Sequence, residues 1–326
     1  MRDFKKNFTE YLEKLPKKSK NNIIILTVSS TSKKFSGLFY FTPIRMKNDF
    51  VICGIVFKDT QFIESLLKYL NIFDYVFVDQ EKKIFDNNKN PVNIEKDLVL
   101  GAPNTVKICS FKPNDLTVDA SYNEILNYFT SRKKTMGGAK ALVMGAGNVG
   151  SKLSLRLVEV GVDTFLYRRS VKKCATIVDS INLIKPEATL AKAHPIQNIS
   201  TLNNYKFDVI IGATNSTMNY IPTNDLFDNV PLILDIGKGS FDLKFLDIAR
   251  GSGCIVLRSS VEDSLVNSIK NSIEIDWQQP KRKKISEKWY VSGGYLGAYG
   301  DIVVDDVDNP KFEYGIANGN GDFIGR

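Results

Sequence analysis

The feature that most constrains this chain is a six-residue turn, Gly145-Ala146-Gly147-Asn148-Val149-Gly150, because of what flanks it. Residues 140–144 before it form a short apolar strand, and residues 149–160 after it repeat apolar positions at helical spacing. Three glycines at this spacing also arise in ordinary turns. Between a strand and a helix, however, each glycine has a distinct role. Gly145 permits the tight turn, Gly147 lets a pyrophosphate approach the backbone, and Gly150 allows helix to pack on strand. Asn148 and Val149 open the helix, whose free N–H groups and dipole favour an anion. A dinucleotide is therefore expected at Gly145, Gly147, Asn148, Val149 and Gly150.

At the end of the next strand, where an NAD enzyme places an acid for the ribose 2′-hydroxyl, the chain reads Tyr167-Arg168-Arg169-Ser170-Val171-Lys172-Lys173. Guanidinium groups and a hydroxyl suit a 2′-phosphate instead, so Arg168, Arg169, Ser170 and Lys173 point to NADP as the cofactor.

The same alternation continues on both sides of the turn. Strands at residues 164–167, 208–213, 231–236 and 254–257 interleave with helices at 171–184 and 243–250, which predicts a parallel sheet covered on both faces. Upstream, Phe4, Phe8, Tyr11 and Leu12 mark a helix, residues 22–28 a buried strand, 61–71 a helix, and 74–79 and 106–110 strands. A helix at 122–129 leads into the basic, Gly-containing stretch 133–138. The expected fold is α/β with two domains. Residues 1–118 form an N-terminal α/β substrate domain, joined by a returning helix and tail at 260–326, and residues 119–259 form a doubly wound parallel-sheet Rossmann domain. The tail from residue 289 resists assignment and reads as a lid, an added hairpin or a contact to a second subunit, which leaves a homodimer open.

Composition narrows the class further. With 326 residues, 43% of them hydrophobic and 25% charged, the chain can bury two modest cores. It has no apolar run long enough to span a bilayer and no leader-like opening, so a cytoplasmic protein without a membrane partner is expected. Cys53, Cys109, Cys174 and Cys254 lie far apart, without zinc-ligand spacing, and read as reduced core residues. The net charge of +8 is scattered in short Lys clusters with no nucleic-acid module, and suits attraction of anionic small molecules rather than nucleic acid. The single histidine, His194, precedes Pro195 in an apparent loop, so neither a His-based triad nor a multi-His metal site is expected.

With these motifs in hand, the chain resembles the shikimate dehydrogenase family over most of its length, up to about residue 275. Ser30-Thr31-Ser32 looks like the family's Ser-x-Ser for a substrate carboxylate, and Gly101-Ala102-Pro103-Asn104-Thr105 like the segment whose Asn holds substrate hydroxyls. Lys58 falls where the catalytic Lys stands, and Asp119 is similar to the Asp of the Asn-Thr-Asp motif. Arg168-Arg169-Ser170 through Lys173 resembles the NADP motif, and Gly212-Ala213-Thr214-Asn215 the segment near the nicotinamide, with Thr214 as a cofactor contact. Other positions depart from the family. The Val-Thr-x-Pro-x-Lys segment keeps only its Lys, the Tyr after the fifth Rossmann strand is replaced within Asp235-Ile236-Gly237-Lys238-Gly239, and no Met-Leu-x-x-Gln follows Val261.

The resemblance implies hydride transfer between NADP(H) and a cyclic or polyhydroxylated alcohol or ketone, with Lys58 and Asp119 catalytic and Ser30, Ser32 and Asn104 binding a small-molecule substrate. From the residues alone, Lys58 equally reads as a surface lysine at a strand end, Asp119 as a helix N-cap, and Ser30, Ser32 and Asn104 as turn formers. A non-catalytic NADP-binding protein and a folate-type methylene dehydrogenase are the competing readings.

Overall fold

A computed structural model describes residues 2–16, 22–31, 37–47, 49–59, 61–85, 89–218, 220, 222–274, 282–293 and 297–325. Its chain divides into two compact units, residues 1–269 and 270–326.

The first unit opens with α1 (Arg2–Leu12), which buries Phe4, Phe8 and Tyr11 along one stripe, as their spacing requires. The strands β1 (Ile23–Ser30), β2 (Phe39–Lys47) and β3 (Phe50–Phe57) follow, then α2 (Ile63–Leu67), β4 (Tyr75–Asp79), α3 (Ile94–Gly101) and β5 (Lys107–Phe111). They build a five-stranded sheet in the order β2-β3-β1-β4-β5, parallel except for the edge strand β2. All eight residues of β3 are buried, consistent with its interior place in the sheet. Phe4 stacks on Phe8 and Phe62, and Phe39 meets Phe4 edge-on, so aromatic rings close the α1 side of this core.

Next comes α4 (Pro113–Thr130), then β6 (Lys140–Met144), α5 (Asn148–Glu159), β7 (Asp163–Tyr167), α6 (Val171–Ile184), β8 (Ala193–Ile196), β9 (Val209–Gly212), β10 (Leu232–Asp235), α7 (Leu243–Gly251), β11 (Val256–Arg258) and α8 (Glu262–Glu274). The six strands are all parallel, in the order β8-β7-β6-β9-β10-β11. Numbered from β6, this is 3-2-1-4-5-6, the order of the doubly wound dinucleotide-binding sheet, and the order reverses between β6 and β9. Its central strands β6, β9 and β10 are nearly continuous apolar runs because helices cover both faces.

Three elements differ from the sequence reading. The crossing helix begins at Pro113, nine residues before its expected start, because Pro at the first helical position is tolerated there. His194 and Pro195 lie within β8 rather than in a loop; β8 is the edge strand, where a missing N–H costs least. Residues 39–57, given no strand bounds from sequence, supply two strands of the first sheet.

In the first turn of α8, Glu262 pairs with Arg45 on β2 at 3.8 Å, and Asp263 pairs with Lys47.

The second unit carries its own five-stranded sheet: β12 (Arg282–Ile285), β13 (Lys288–Ser292), β14 (Ile302–Val304), β15 (Glu313–Ala317) and β16 (Phe323–Gly325), hydrogen-bonded in that order. Ile302, Val304 and Val307 form its buried centre, with Tyr290 packed on them. Arg282 lies over the Trp289 ring at 4.1 Å and makes a two-point contact with the buried Asp301, at 2.7 and 2.9 Å.

Candidate active site

At the point where the Rossmann strand order reverses, the glycine turn is tied to the strands on both sides. Gly145 N–H donates to the Tyr167 carbonyl at the end of β7, and Ala213 N–H, just after β9, donates to Met144, both at 2.9 Å. Gly145 has φ +118°, which a side chain would strain, and a Cβ there would lie 2.5 Å from the Ala213 carbonyl oxygen. At Gly150 a Cβ would come within 2.0 Å of the Gly145 carbonyl oxygen, so helix α5 can approach the turn only with glycine there. Gly147 is the contrast: exposed, with nothing within 4 Å of a built Cβ, it leaves open space before the helix. It is the N-cap of α5, with no side-chain cap and no acid in the first turn, so the N–H groups of Asn148, Val149 and Gly150 have no capping side chain. An open approach, a bare helix N-terminus and a close-packed third glycine fit a dinucleotide pyrophosphate.

The basic residues after β7 divide into two kinds. Arg168 is half-buried and its Nη1 donates to the Ala146 carbonyl at 2.6 Å, reaching back 22 residues onto the glycine turn. Arg169, Ser170, Lys172 and Lys173 are exposed, and Ser170 caps α6 by accepting the Lys173 N–H. Thr214, beyond β9, is fixed by Ser240, whose hydroxyl accepts the Thr214 N–H at 3.3 Å and donates to the Thr214 carbonyl at 3.1 Å. The fully buried Ser240 and the carboxylate of Asp235, which takes the Gly239 and Ser240 N–H groups, brace the loop after β10. Lys238 in that loop holds a left-handed φ of +58°.

Helices α4 and α5 set the two sheets against each other. Asp115 on α4 pairs with Lys152 on α5, and four residues on in both helices Asp119 pairs with Arg156 at 2.5 Å. Equal steps along both helices mean that they run parallel. Because α4 starts after the carboxyl end of β5 and α5 after that of β6, the carboxyl edges of both sheets open at the same end of the helix pair. Ligands of α/β sheets bind at such edges.

The substrate candidates scatter across this frame. Ser30 ends β1 at the carboxyl edge, but it is buried and its N–H and hydroxyl both go to Asp79 Oδ2, at 3.1 and 3.3 Å. Lys58 follows β3 at the same edge, half-buried, with its N–H on the Leu38 carbonyl. Asn104 is an exposed turn residue before β5. Since β5 runs parallel to β4 with Lys107 opposite Tyr75 and Phe111 opposite Asp79, Asn104 stands at the opposite edge of the sheet from Ser30 and Lys58. At about 3.3 Å per residue, roughly 13 Å of strand separates the two edges. Ser32 lies outside the described residues. Asp119 sits in the second turn of α4 rather than at its N-cap, with its carboxylate on Arg156.

One cluster at this edge was not singled out from sequence. Asp79 at the end of β4 has a fully buried side chain that receives the Glu81 N–H at 2.7 Å, the two Ser30 donors and the Lys83 ammonium at 3.0 Å. Lys83 also lies 2.6 Å from Glu81 Oε2, which has no well-directed hydrogen bond, while Glu81 Oε1 accepts the Asn114 N–H at the start of α4. The available signal was a strand ending in an acid, followed by Glu and Lys at alternate positions.

No family model matches this chain, and no curated protein does. Among solved structures it is similar to shikimate 5-dehydrogenase of Listeria monocytogenes, solved with shikimate and NAD, at 14% identity over 81% of this chain and 96% of that one, with a TM-score of 0.45. Shikimate dehydrogenase of Aquifex aeolicus gives 15% identity over 78% and 94%, with a TM-score of 0.45. The 5-ketofructose reductase of a Gluconobacter strain gives 15% over 80% and 95%, with a TM-score of 0.42. The class of the fold stands on the strand order and the turn, not on these likenesses.

Proposed function

We propose that this chain is an NADP-dependent oxidoreductase that transfers hydride between the dinucleotide and a small cyclic or polyhydroxylated alcohol or ketone in the cytoplasm. The observation that carries this reading is the bare, glycine-lined N-terminus of α5 at the reversal point of a 3-2-1-4-5-6 sheet, with Arg169, Ser170 and Lys173 exposed at the end of the neighbouring strand. On this reading residues 119–259 hold the cofactor and residues 1–118 the substrate, although α4 spans the boundary between them.

The bound nicotinamide would supply the hydride donor or acceptor. The chain's part is to orient the dinucleotide through Gly147 and the first turn of α5, and to manage the substrate proton at the carboxyl edge of the first sheet. Lys58 is the candidate for that proton, since an alcohol oxygen must lose one as hydride leaves and gain one in the reverse direction. Lys58→Ala is expected to lower turnover by roughly 10²–10⁴-fold with NADP(H) affinity nearly unchanged, read as NADPH consumption over a series of cyclic and polyol ketones.

A non-catalytic NADP-binding protein is the second reading, favoured by the engagement of Asp119 with Arg156. Full turnover by the Lys58→Ala protein would move the acid/base role elsewhere. Absence of turnover in the unaltered protein, with NADPH binding intact, would favour the non-catalytic reading.

A further inference from the structure

We propose that Arg168 is a positioning residue of the dinucleotide turn, serving NADP(H) and NAD(H) alike, and that selection for the 2′-phosphate falls to Arg169 with Ser170 and Lys173. The inference rests on the reading of the glycine turn as a dinucleotide site and gives two neighbouring arginines separate roles where the sequence suggests one shared role.

The division follows from where each side chain goes. Arg168 Nη1 donates to the Ala146 carbonyl at 2.6 Å. Ala146 is itself fully buried, and its carbonyl belongs to the peptide whose other end is the Gly147 N–H, donated to Gly145 at 2.9 Å. That peptide plane is thus gripped on both sides, at the one glycine of the turn that has open space in front of it. A second link, Gly145 N–H to the Tyr167 carbonyl, fastens the turn to the residue immediately before Arg168. The end of β7 therefore clamps the turn by one backbone and one side-chain bond. A guanidinium so placed acts on the part of the cofactor that all dinucleotides share. Arg169 is exposed and makes no comparable contact with the turn among the described residues, which leaves its fork for an anion at the ribose.

The test is calorimetric titration of the full chain with NADPH and with NADH, for the unaltered protein and for Arg168→Ala, Arg168→Gln and Arg169→Ala, each checked by thermal melting. Arg168→Ala should weaken both dinucleotides by a similar factor, roughly tenfold or more, the scale of one charge-assisted hydrogen bond. Arg168→Gln keeps an N–H donor for Ala146 without the charge and should recover most of that loss. Arg169→Ala should weaken NADPH by a similar factor and spare NADH. A loss confined to NADPH in either Arg168 variant, or no loss in Arg168→Ala, overturns the proposal. Should Arg168→Ala fail to fold, Arg168→Gln decides by the same ratio. Comparable affinities of the unaltered protein for the two dinucleotides would overturn the NADP reading and the Arg169 half of this proposal, with equal Arg168 losses still supporting the positioning role; binding of neither overturns both.

Discussion

A Cβ added at Gly150 would sit 2.0 Å from a backbone oxygen, whereas one added at Gly147 would meet nothing within 4 Å. The two glycines therefore separate folding from binding. Gly150→Ala should destabilise the chain by about 1–3 kcal/mol, the usual cost of overpacking, because the obstructing atom is backbone and cannot swing aside. Gly147→Ala should melt like the unaltered protein, yet bind NADPH at least tenfold more weakly, since its methyl occupies the approach of the pyrophosphate. Melting curves and titrations of both variants check this; equal melting temperatures for the two would contradict it. The crowding at Gly150 and the open space at Gly147 were legible in the sequence because each is decided within six residues of chain. The partner of Arg168 was not, since its bond to Ala146 spans 22 residues and depends on β7 lying beside β6.

Among the elements, α4 links the two sheets, with Val118, Ile125 and Phe129 buried in the Rossmann core and Asn114 bonded to Glu81, two residues beyond β4 of the first sheet. Its Glu124 accepts the Ser260 N–H at 3.0 Å and leaves Oε2 buried without a well-directed hydrogen bond among the described residues. Burial pushes its carboxyl above the ordinary value, against the bonds from Ser260 and Ser259. An acid whose folded value is raised makes the folded state hold its proton longer than the unfolded one. Stability should therefore fall as pH rises from the ordinary glutamate value to the raised one. Glu124→Gln should flatten that slope in denaturant titrations across the window; an unchanged slope would place the effect on another group. The first nine residues of this helix were not legible, because Asn, Asp and Thr there are weak helix formers held by tertiary contacts. Apart from β8, whose His194 and Pro195 interrupt the pattern, the alternation of β6 through α7 was legible because both faces of that sheet are covered, so apolar runs mark the other strands.

For the whole molecule, the two compact units each have their own core, and the second buries the carboxylate of Asp301. The Arg282 guanidinium holds the Asp301 carboxyl below its usual range, helped by the Ala298 N–H and opposed by burial. A depressed acid contributes stability that is present above its unfolded value and lost as pH falls through the folded one. The second unit should accordingly weaken in acid, below the ordinary aspartate range. Asp301→Ala should remove about 1.5–3 kcal/mol from that unit at neutral pH while NADPH affinity is retained. Thermal melting and NADPH titration of that variant check both halves. Its short strands, three to five residues each with many exposed positions, are why the tail resisted assignment. The candidate substrate site was only partly legible for a related reason. Ser30, Lys58 and Asp79 share an edge through strand register, which motif order does not report, and the same register sends Asn104 to the other edge. That the turn at Gly145 to Gly150 holds NADP(H) is the central claim, and calorimetric titration of the unaltered protein with NADPH and NADH tests it most directly. Saturable one-site binding of both is expected, with NADPH tighter by roughly tenfold or more, as one charge-assisted contact to the 2′-phosphate would give. Equal affinities, or no binding of either, would contradict it.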